Sequence, residues 1–355
     1  MKKLKVGVLG ATGMVGQRFV SLLADHPWFE LATVAASPKS AGKAYADAVA
    51  GRWTLADPVP GVAAKLTVLD ASDVARVSRD VDFVCCAVDM DKAAVIALEE
   101  AYARAETPVL SNCGANRKTP DVPMMIPEIN AHHASIIEAQ RKRLGTTRGF
   151  IAVKPNCSLQ SYVPALHPLA GFGIAKVAVC TYQALSGAGK TPATYPEMAD
   201  NIIPFIGGEE EKVESETLKI LGRHGGRTPH PATISAHTNR VAVIDGHIMT
   251  VSADLGAKPA VDDVIAALER FRGRPQELNL PSAPQPPIIV ARESNRPQPR
   301  LDADRGDGMT VTVGRVRPCK VTHTKFVALG HNTVRGAAGA AILNAELMAA
   351  DGLFD

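Results

Sequence analysis

One cysteine in this chain stands apart from the others. Cys157 lies in Lys154-Pro155-Asn156-Cys157-Ser158, flanked by polar residues, after an apolar run, Phe150–Val153, that a proline stops. Far upstream lies a glycine-rich stretch, Gly10-Ala11-Thr12-Gly13-Met14-Val15-Gly16. Together they suggest one chemistry: a thiolate captures a carbonyl carbon as a thiohemiacetal or thioester, and a nicotinamide exchanges hydride with that carbon. Structural cysteines sit among apolar residues, as Cys85, Cys86 and Cys180 are expected to. Cys113, in Ser111-Asn112-Cys113-Gly114, is also polar in setting and follows a strand, so it is read as near a cleft without being the nucleophile.

A thiolate needs a base and a thiohemiacetal needs a proton shuttle, and histidine serves both near neutral pH. Most histidines, such as His132, His133 and His224, fall in polar stretches and are read as surface residues. His247 follows the turn-like pair Asp245-Gly246, which sets it at a strand start.

These residues must be held by two different kinds of domain. The first half alternates short apolar runs with helical patterns. Leu4–Leu9 reads as a strand, Gly13–Ala24 as a helix, Leu31–Ala36 and Val81–Val88 as strands, Lys92–Ala103 as a helix and Val109–Ser111 as a strand. Such alternation predicts an α/β, Rossmann-type doubly wound parallel sheet. Near residue 150 the pattern changes. Ala175–Tyr182, Val241–Ala253, Val311–Val316 and Lys325–Leu329 read as strands, with a helix over Glu209–Leu221. That predicts an α+β catalytic and dimerisation domain on a mostly antiparallel sheet. Pro281–Arg300 reads as an extended excursion and Gly336–Ala350 as a terminal helix. The expected division is 1–152 for the dinucleotide domain, with 332–355 packing back on it, and 153–331 for the catalytic domain.

Composition narrows the function classes. A chain of 355 residues exceeds what one core usually serves. Its net charge of +3, with both signs interspersed and no basic run, gives no footing for nucleic acid. No apolar run is long enough to span a bilayer, and Met1-Lys2-Lys3 leads straight into a strand pattern without a targeting segment. The six cysteines lack metal-ligand spacing. The expectation is a reduced, cytoplasmic protein with no nucleic-acid or membrane partner and no metal.

The glycine-rich stretch joins strand to helix, where small residues let a pyrophosphate approach and the helix end supplies N–H donors. Gly10, Thr12, Gly13, Met14 and Val15 are the expected contacts; a merely tight turn is the alternative. At the end of the second strand, an acidic residue would favour NAD. The chain has Ser37-Pro38-Lys39-Ser40 instead, and Ser37, Lys39 and Ser40 suit the 2′-phosphate of NADP.

The motifs also carry a resemblance. The glycine loop, Pro155-Asn156-Cys157-Ser158, Gln183-Ala184-Leu185-Ser186-Gly187-Ala188-Gly189, the run Arg240–His247 and the run Asn332–Gly339 together resemble aspartate-β-semialdehyde dehydrogenase, in the branch found in archaea, fungi and some bacteria. The likeness runs over nearly the whole length in the same order. It implies NADP-linked, phosphate-dependent interconversion of L-aspartate 4-semialdehyde and L-4-aspartyl phosphate by a homodimer or homotetramer. Cys157 is then the nucleophile and His247 the acid/base. Arg240 holds the substrate carboxylate, for which a guanidinium fork is suited. Glu209 and Lys212, one helix face apart, serve the ammonium and the phosphate, with Glu210 as a rival register. Arg117, with Asn116 beside it, binds phosphate. Gln183 orients the acyl group. Ser186, Gly187 and Asn332 meet the nicotinamide, although Asn332 is also suited to a helix N-cap.

Other readings stay open. A malonyl-CoA reductase of the same branch would keep Cys157, His247 and the loop. N-acetyl-glutamyl phosphate reductase shares the architecture but carries its cysteine in different wording. A catalytically silent NADP-binding protein is the rival from another class.

Overall fold

A computed structural model describes residues 2–355. The chain divides into two compact units. One takes the chain up to Met125, together with His132–Lys154 and Ala338–Asp355; the other takes Ile126–Ala131 and Pro155–Ala337.

In the first unit six parallel strands run in the order β3-β2-β1-β4-β5-β6. They are β1 (Leu4–Leu9), β2 (Phe29–Ala36), β3 (Leu69–Asp70), β4 (Phe83–Cys86), β5 (Val109–Ser111) and β6 (Ile151–Val153). Strands buried on both faces read as continuous apolar runs, and β4 is buried at every residue. The winding reverses between β1 and β4. In such sheets that point, at the carboxyl ends of the strands, is where ligands bind. Helix α1 (Met14–Leu23) starts there, and α2 (Lys92–Arg104) follows β4. The terminal helix Gly339–Ala350 completes this unit. It is buried from Gly339 to Met348, and its Glu346 meets His26 Nε2 at 2.8 Å. Beyond it Phe354 stacks on Phe83 at 4.7 Å.

The second unit holds a seven-stranded sheet in the order β11-β12-β13-β10-β7-β9-β8. Its strands are β7 (Ile174–Gln183), β8 (Ile202–Ile203), β9 (Thr233–Val241), β10 (His247–Leu255), β11 (Ile288–Ala291), β12 (Val311–Pro318) and β13 (Thr324–Gly330). Four neighbouring pairs are antiparallel, and the β7–β9 and β11–β12 pairs are parallel, so the sheet is mostly antiparallel as expected. Helices α3 (Cys157–Leu166) and α4 (Glu209–Ile220) pack against it and on each other, where the Tyr162 hydroxyl meets Thr217.

Several expectations need correction. Val241–Ala253 is not one strand: β9 ends at Val241, the chain turns, and β10 begins at His247. The sequence does not announce β9, because its buried face, Ile234, Ala236, Thr238 and Arg240, is half polar. Pro281–Arg300 is not wholly an excursion, since it contributes β11 beside β12. The terminal helix opens with a wide π-type turn over Val334–Ala338, and its α part starts at Gly339. His133 is fully buried rather than on the surface. Cys180 is half-exposed, and its sulfur accepts from Asn239 Nδ2 at 3.2 Å, so its setting is polar. Among the described residues no helix is long and apolar enough to cross a membrane.

Candidate active site

The sheet and two helix ends build the site of the second unit. Side chains alternate along strands, so Gln183, Arg240 and His247 all point to the buried face. Gln183 and Arg240 are register partners on adjacent parallel strands, and each lies at or next to its strand's end. Over them two helices begin, α3 with Cys157 and α4 with Glu209 as the first residue.

Cys157 gains from that position. Asn156 caps α3, its side-chain oxygen accepting from Ser158 N at 2.9 Å. The cysteine sulfur therefore sits at a helix N-terminus, where unpaired N–H groups and the helix dipole favour negative charge. His247 Nε2 lies 3.4 Å from Cys157 Sγ, within hydrogen-bond reach for sulfur. The opposite ring nitrogen, Nδ1, accepts from the Ala184 N–H at 3.1 Å. An acceptor at Nδ1 puts the proton of the neutral ring on Nε2, facing the sulfur.

Glu209 is the hub of the polar side. Asn156 Nδ2 donates to both its oxygens at 3.0 and 2.9 Å, Lys212 Nζ lies 2.7 Å away, and Gln183 Nε2 donates at 3.3 Å. Burial pushes the Glu209 carboxyl up, but the Lys212 charge and these hydrogen bonds outweigh it and hold the group below its ordinary range. Glu210 turns elsewhere, accepting from Thr238 N at 3.1 Å. Of the two carboxylates, Glu209 is the one that meets Asn156 and Gln183. Arg240 is buried, donates through Nη1 to Ala184 O at 2.7 Å, and has its pKa lowered by burial against the opposing charges of Cys157, Glu209 and Tyr195.

Ser186, Gly187 and Asn332 flank the same cluster. A Cβ on Gly187 would stand 2.9 Å from both His247 Cε1 and Arg240 Nη1, so only glycine lets this turn lie against the pair. Asn332 does not cap a helix. Its oxygen accepts from Gly246 N at 2.8 Å and its Nδ2 donates to Ser186 Oγ at 2.7 Å, and Ser186 in turn donates to Asp245 at 2.6 Å. This chain of bonds ties together the turns that follow β7, precede β10 and follow β13. Asp245 and Ala184 were not singled out in the sequence. Ala184 acts through its backbone, which no residue type reveals.

The first unit carries the remaining predicted residues. The loop from Gly10 to Val15 leaves β1 at the winding reversal. Gly10 has φ +79°, and a Cβ there would press within 2.4 Å of Ala87 O, so the turn itself demands this glycine. Gly13 differs, because a Cβ there would meet only Gly10 O at 3.5 Å. It is also the N-cap of α1 with no side-chain cap, which suits a pyrophosphate seated at the helix end. Thr12, Met14 and Val15 are half-buried beside it. Ser37 and Lys39 are exposed, while Ser40 is buried and accepts weakly from Arg52 Nη2 at 3.5 Å. Arg52 adds a cation to this corner that sequence separation concealed. Asn116 and Arg117 lie on a short turn after β5 and are buried. Asn116 Nδ2 donates to Glu99 at 2.7 Å and its oxygen accepts from Thr119 at 2.9 Å, while Arg117 Nε donates to Lys154 O at 3.1 Å.

The NAD-binding domain of semialdehyde dehydrogenases matches residues 5–137, and their dimerisation domain matches residues 166–335. The chain is 46% identical to the aspartate-semialdehyde dehydrogenase of Archaeoglobus fulgidus over 98% of both chains. It is 43% identical to that of Schizosaccharomyces pombe, over 98% of this chain and 99% of the other. The crystal structure of Candida albicans aspartate semialdehyde dehydrogenase with NADP aligns with a TM-score of 0.88 at 38% identity, covering 99% of this chain and all of the other. With both domain models matched and relatives more than 40% identical over 98% of its length, the chain belongs to the aspartate-semialdehyde dehydrogenase family.

Proposed function

We propose that this protein interconverts L-aspartate 4-semialdehyde and L-4-aspartyl phosphate, using NADP and inorganic phosphate, through a thioester on Cys157. The observation that carries the reading is the approach of Cys157 Sγ to His247 Nε2 at a helix N-terminus. In the biosynthetic direction Cys157 attacks the acyl carbon of the acyl phosphate, and phosphate leaves as the thioester forms. The dinucleotide, when bound, supplies the hydride that reduces this thioester. His247 donates its Nε2 proton to the oxyanion as the thiohemiacetal forms and takes it back as that adduct collapses, which releases the aldehyde and returns the thiolate. Thiolate formation is assigned to the α3 N-terminus and the Arg240 charge.

Arg240 is assigned to the substrate carboxylate and ionised Glu209 to its ammonium. Lys212 and Arg117 are the cations assigned to the phosphate. Asn116, with both side-chain polar atoms engaged by Glu99 and Thr119, braces the Arg117 turn. Gly10 to Val15 are assigned to the pyrophosphate, and Ser37, Lys39, Ser40 and Arg52 to the 2′-phosphate. We also infer a homo-oligomer of cytoplasmic enzyme molecules. One face of the seven-stranded sheet is uncovered, with Ala178, Thr233, Ser235, His237 and Thr250 exposed along it, and it would meet a second copy.

The test is NADP reduction with L-aspartate 4-semialdehyde, with and without inorganic phosphate. Strict dependence on both is expected. Turnover that ignores phosphate and instead requires coenzyme A would move the assignment to a CoA-linked acyl reductase.

A further inference from the structure

Two thiols that the chemistry above does not use lie together in the first unit. Cys86 ends β4, and Cys113 opens the turn after β5 that runs on to Asn116 and Arg117. Their sulfurs are 3.9 Å apart. The carboxylate of Glu99, carried by α2, completes a group of three in which the ligand atoms all lie within 4.8 Å of one another. Cys86 and Glu99 are buried and Cys113 is half-buried. Two sulfurs bound to one tetrahedral zinc ion, each about 2.3 Å from it, stand about 3.8 Å apart. The observed separation of the two sulfurs matches that span. The Val88 carbonyl oxygen, 3.4 Å from Cys113 Sγ, offers a fourth donor.

We propose that Cys86, Cys113 and Glu99 form a site for a thiophilic divalent cation, of which Zn²⁺ is the type. Binding releases one proton from each thiol to solvent and forms two metal–sulfur bonds and one metal–oxygen bond, with no change of oxidation state. The ligands are supplied by three separate elements, so the ion joins β4, α2 and the turn after β5. Glu99 already holds Ser111 Oγ and Asn116 Nδ2. Those bonds orient the carboxylate, much as outer-shell partners orient ligands in metal proteins. The spacing of 86, 99 and 113 matches no short metal motif, which is why the sequence shows none. This proposal does not rest on the activity assigned above.

The experiment uses the full chain carrying Cys157→Ala, so that the catalytic pair cannot take the ion, kept reduced with a phosphine. One equivalent of Co²⁺ should produce thiolate-to-cobalt charge-transfer absorption, and Zn²⁺ should displace it. Adding Cys113→Ser should weaken uptake at least tenfold and remove the band. No band, or a band that Cys113→Ser leaves in place, overturns the site. Should the doubly substituted chain not fold, alkylation of the unsubstituted protein decides. Zn²⁺ should slow modification of Cys113 and leave Cys319 fast, since hydrogen bonds from Thr322 and Val321 lower that thiol to about 7. Equal modification of Cys113 with and without Zn²⁺ overturns the proposal.

Discussion

The imidazole of His247 faces two unlike partners, a backbone N–H on one side and a sulfur on the other. With Nδ1 accepting from that N–H, the neutral ring carries its proton on Nε2, towards the sulfur. The α3 N-terminus and the Arg240 charge, to which thiolate formation is assigned above, do not involve that ring. His247→Ala is expected to slow turnover by about 10²–10⁴ while leaving the ultraviolet thiolate absorbance of Cys157 at neutral pH nearly intact. Loss of that absorbance would show an imidazolium–thiolate pair instead. A second test at this scale concerns the cofactor corner. Ser37→Asp should shift preference from NADP towards NAD, and Arg52→Ala should raise KM for NADP more than for NAD; an unchanged ratio of kcat/KM values would remove both assignments. Glu209 provides a pH test. Its folded pKa is lowered, so its stabilising contribution is present above the unfolded value of about 4.3 and fades as pH falls through the lower folded value. The thermal midpoint of Glu209→Gln should lie below that of the unsubstituted protein at neutral pH and converge with it in acid. Cys157 stands out in the sequence by its polar neighbours and His247 through the family resemblance, and the structure sets the two 3.4 Å apart. Glu209 could not be separated from Glu210, because only the position of β9 decides which carboxylate turns inward.

At the scale of elements, the site is two helix starts laid over three strand ends. The sequence marks the helices well, since Asn156 is a good cap and α4 opens with three acidic residues. It marks β9 poorly, because Thr238 and Arg240 occupy buried positions where apolar residues are expected. A strand with polar residues on its inner face loses the alternation that would announce it. The turn through Gly187 shows the same economy of space. Gly187→Ala would put a methyl group 2.9 Å from His247 and Arg240 and should lower kcat on the order of 10²-fold, the usual effect of displacing a catalytic group by about an ångström. Normal turnover in that variant would mean the turn moves freely. Cys180 and His133 were misplaced for a related reason: the apolar or polar look of adjacent residues does not report which face of an element a side chain takes.

Across the whole molecule, the chain's path matters more than its composition. The second unit borrows Ile126–Ala131 from the middle of the first half. That short piece is anchored within its unit by a buried ion pair, Glu128 with Arg335, whose Nη2–Oε2 distance is 3.0 Å. Removing one member of such a pair strands a buried charge, so Arg335→Met should cost about 3–5 kcal/mol in unfolding free energy. Adding Glu128→Gln should recover part of it, and strictly additive losses would contradict the coupling. Nothing in the sequence flags the pair, because its members lie far apart and each is an ordinary charged residue in its own neighbourhood.

The burial of the terminal helix in the first unit also has a temporal side. During translation, β1 to β6 leave the ribosome long before Gly339–Ala350 exists, so the sheet lacks the His26–Glu346 contact and the Phe354 stack on Phe83 until the last codons are read. The nascent dinucleotide fold therefore keeps apolar surface open while Pro155–Ala337 is synthesised, and the chain should lean on holding chaperones during that interval.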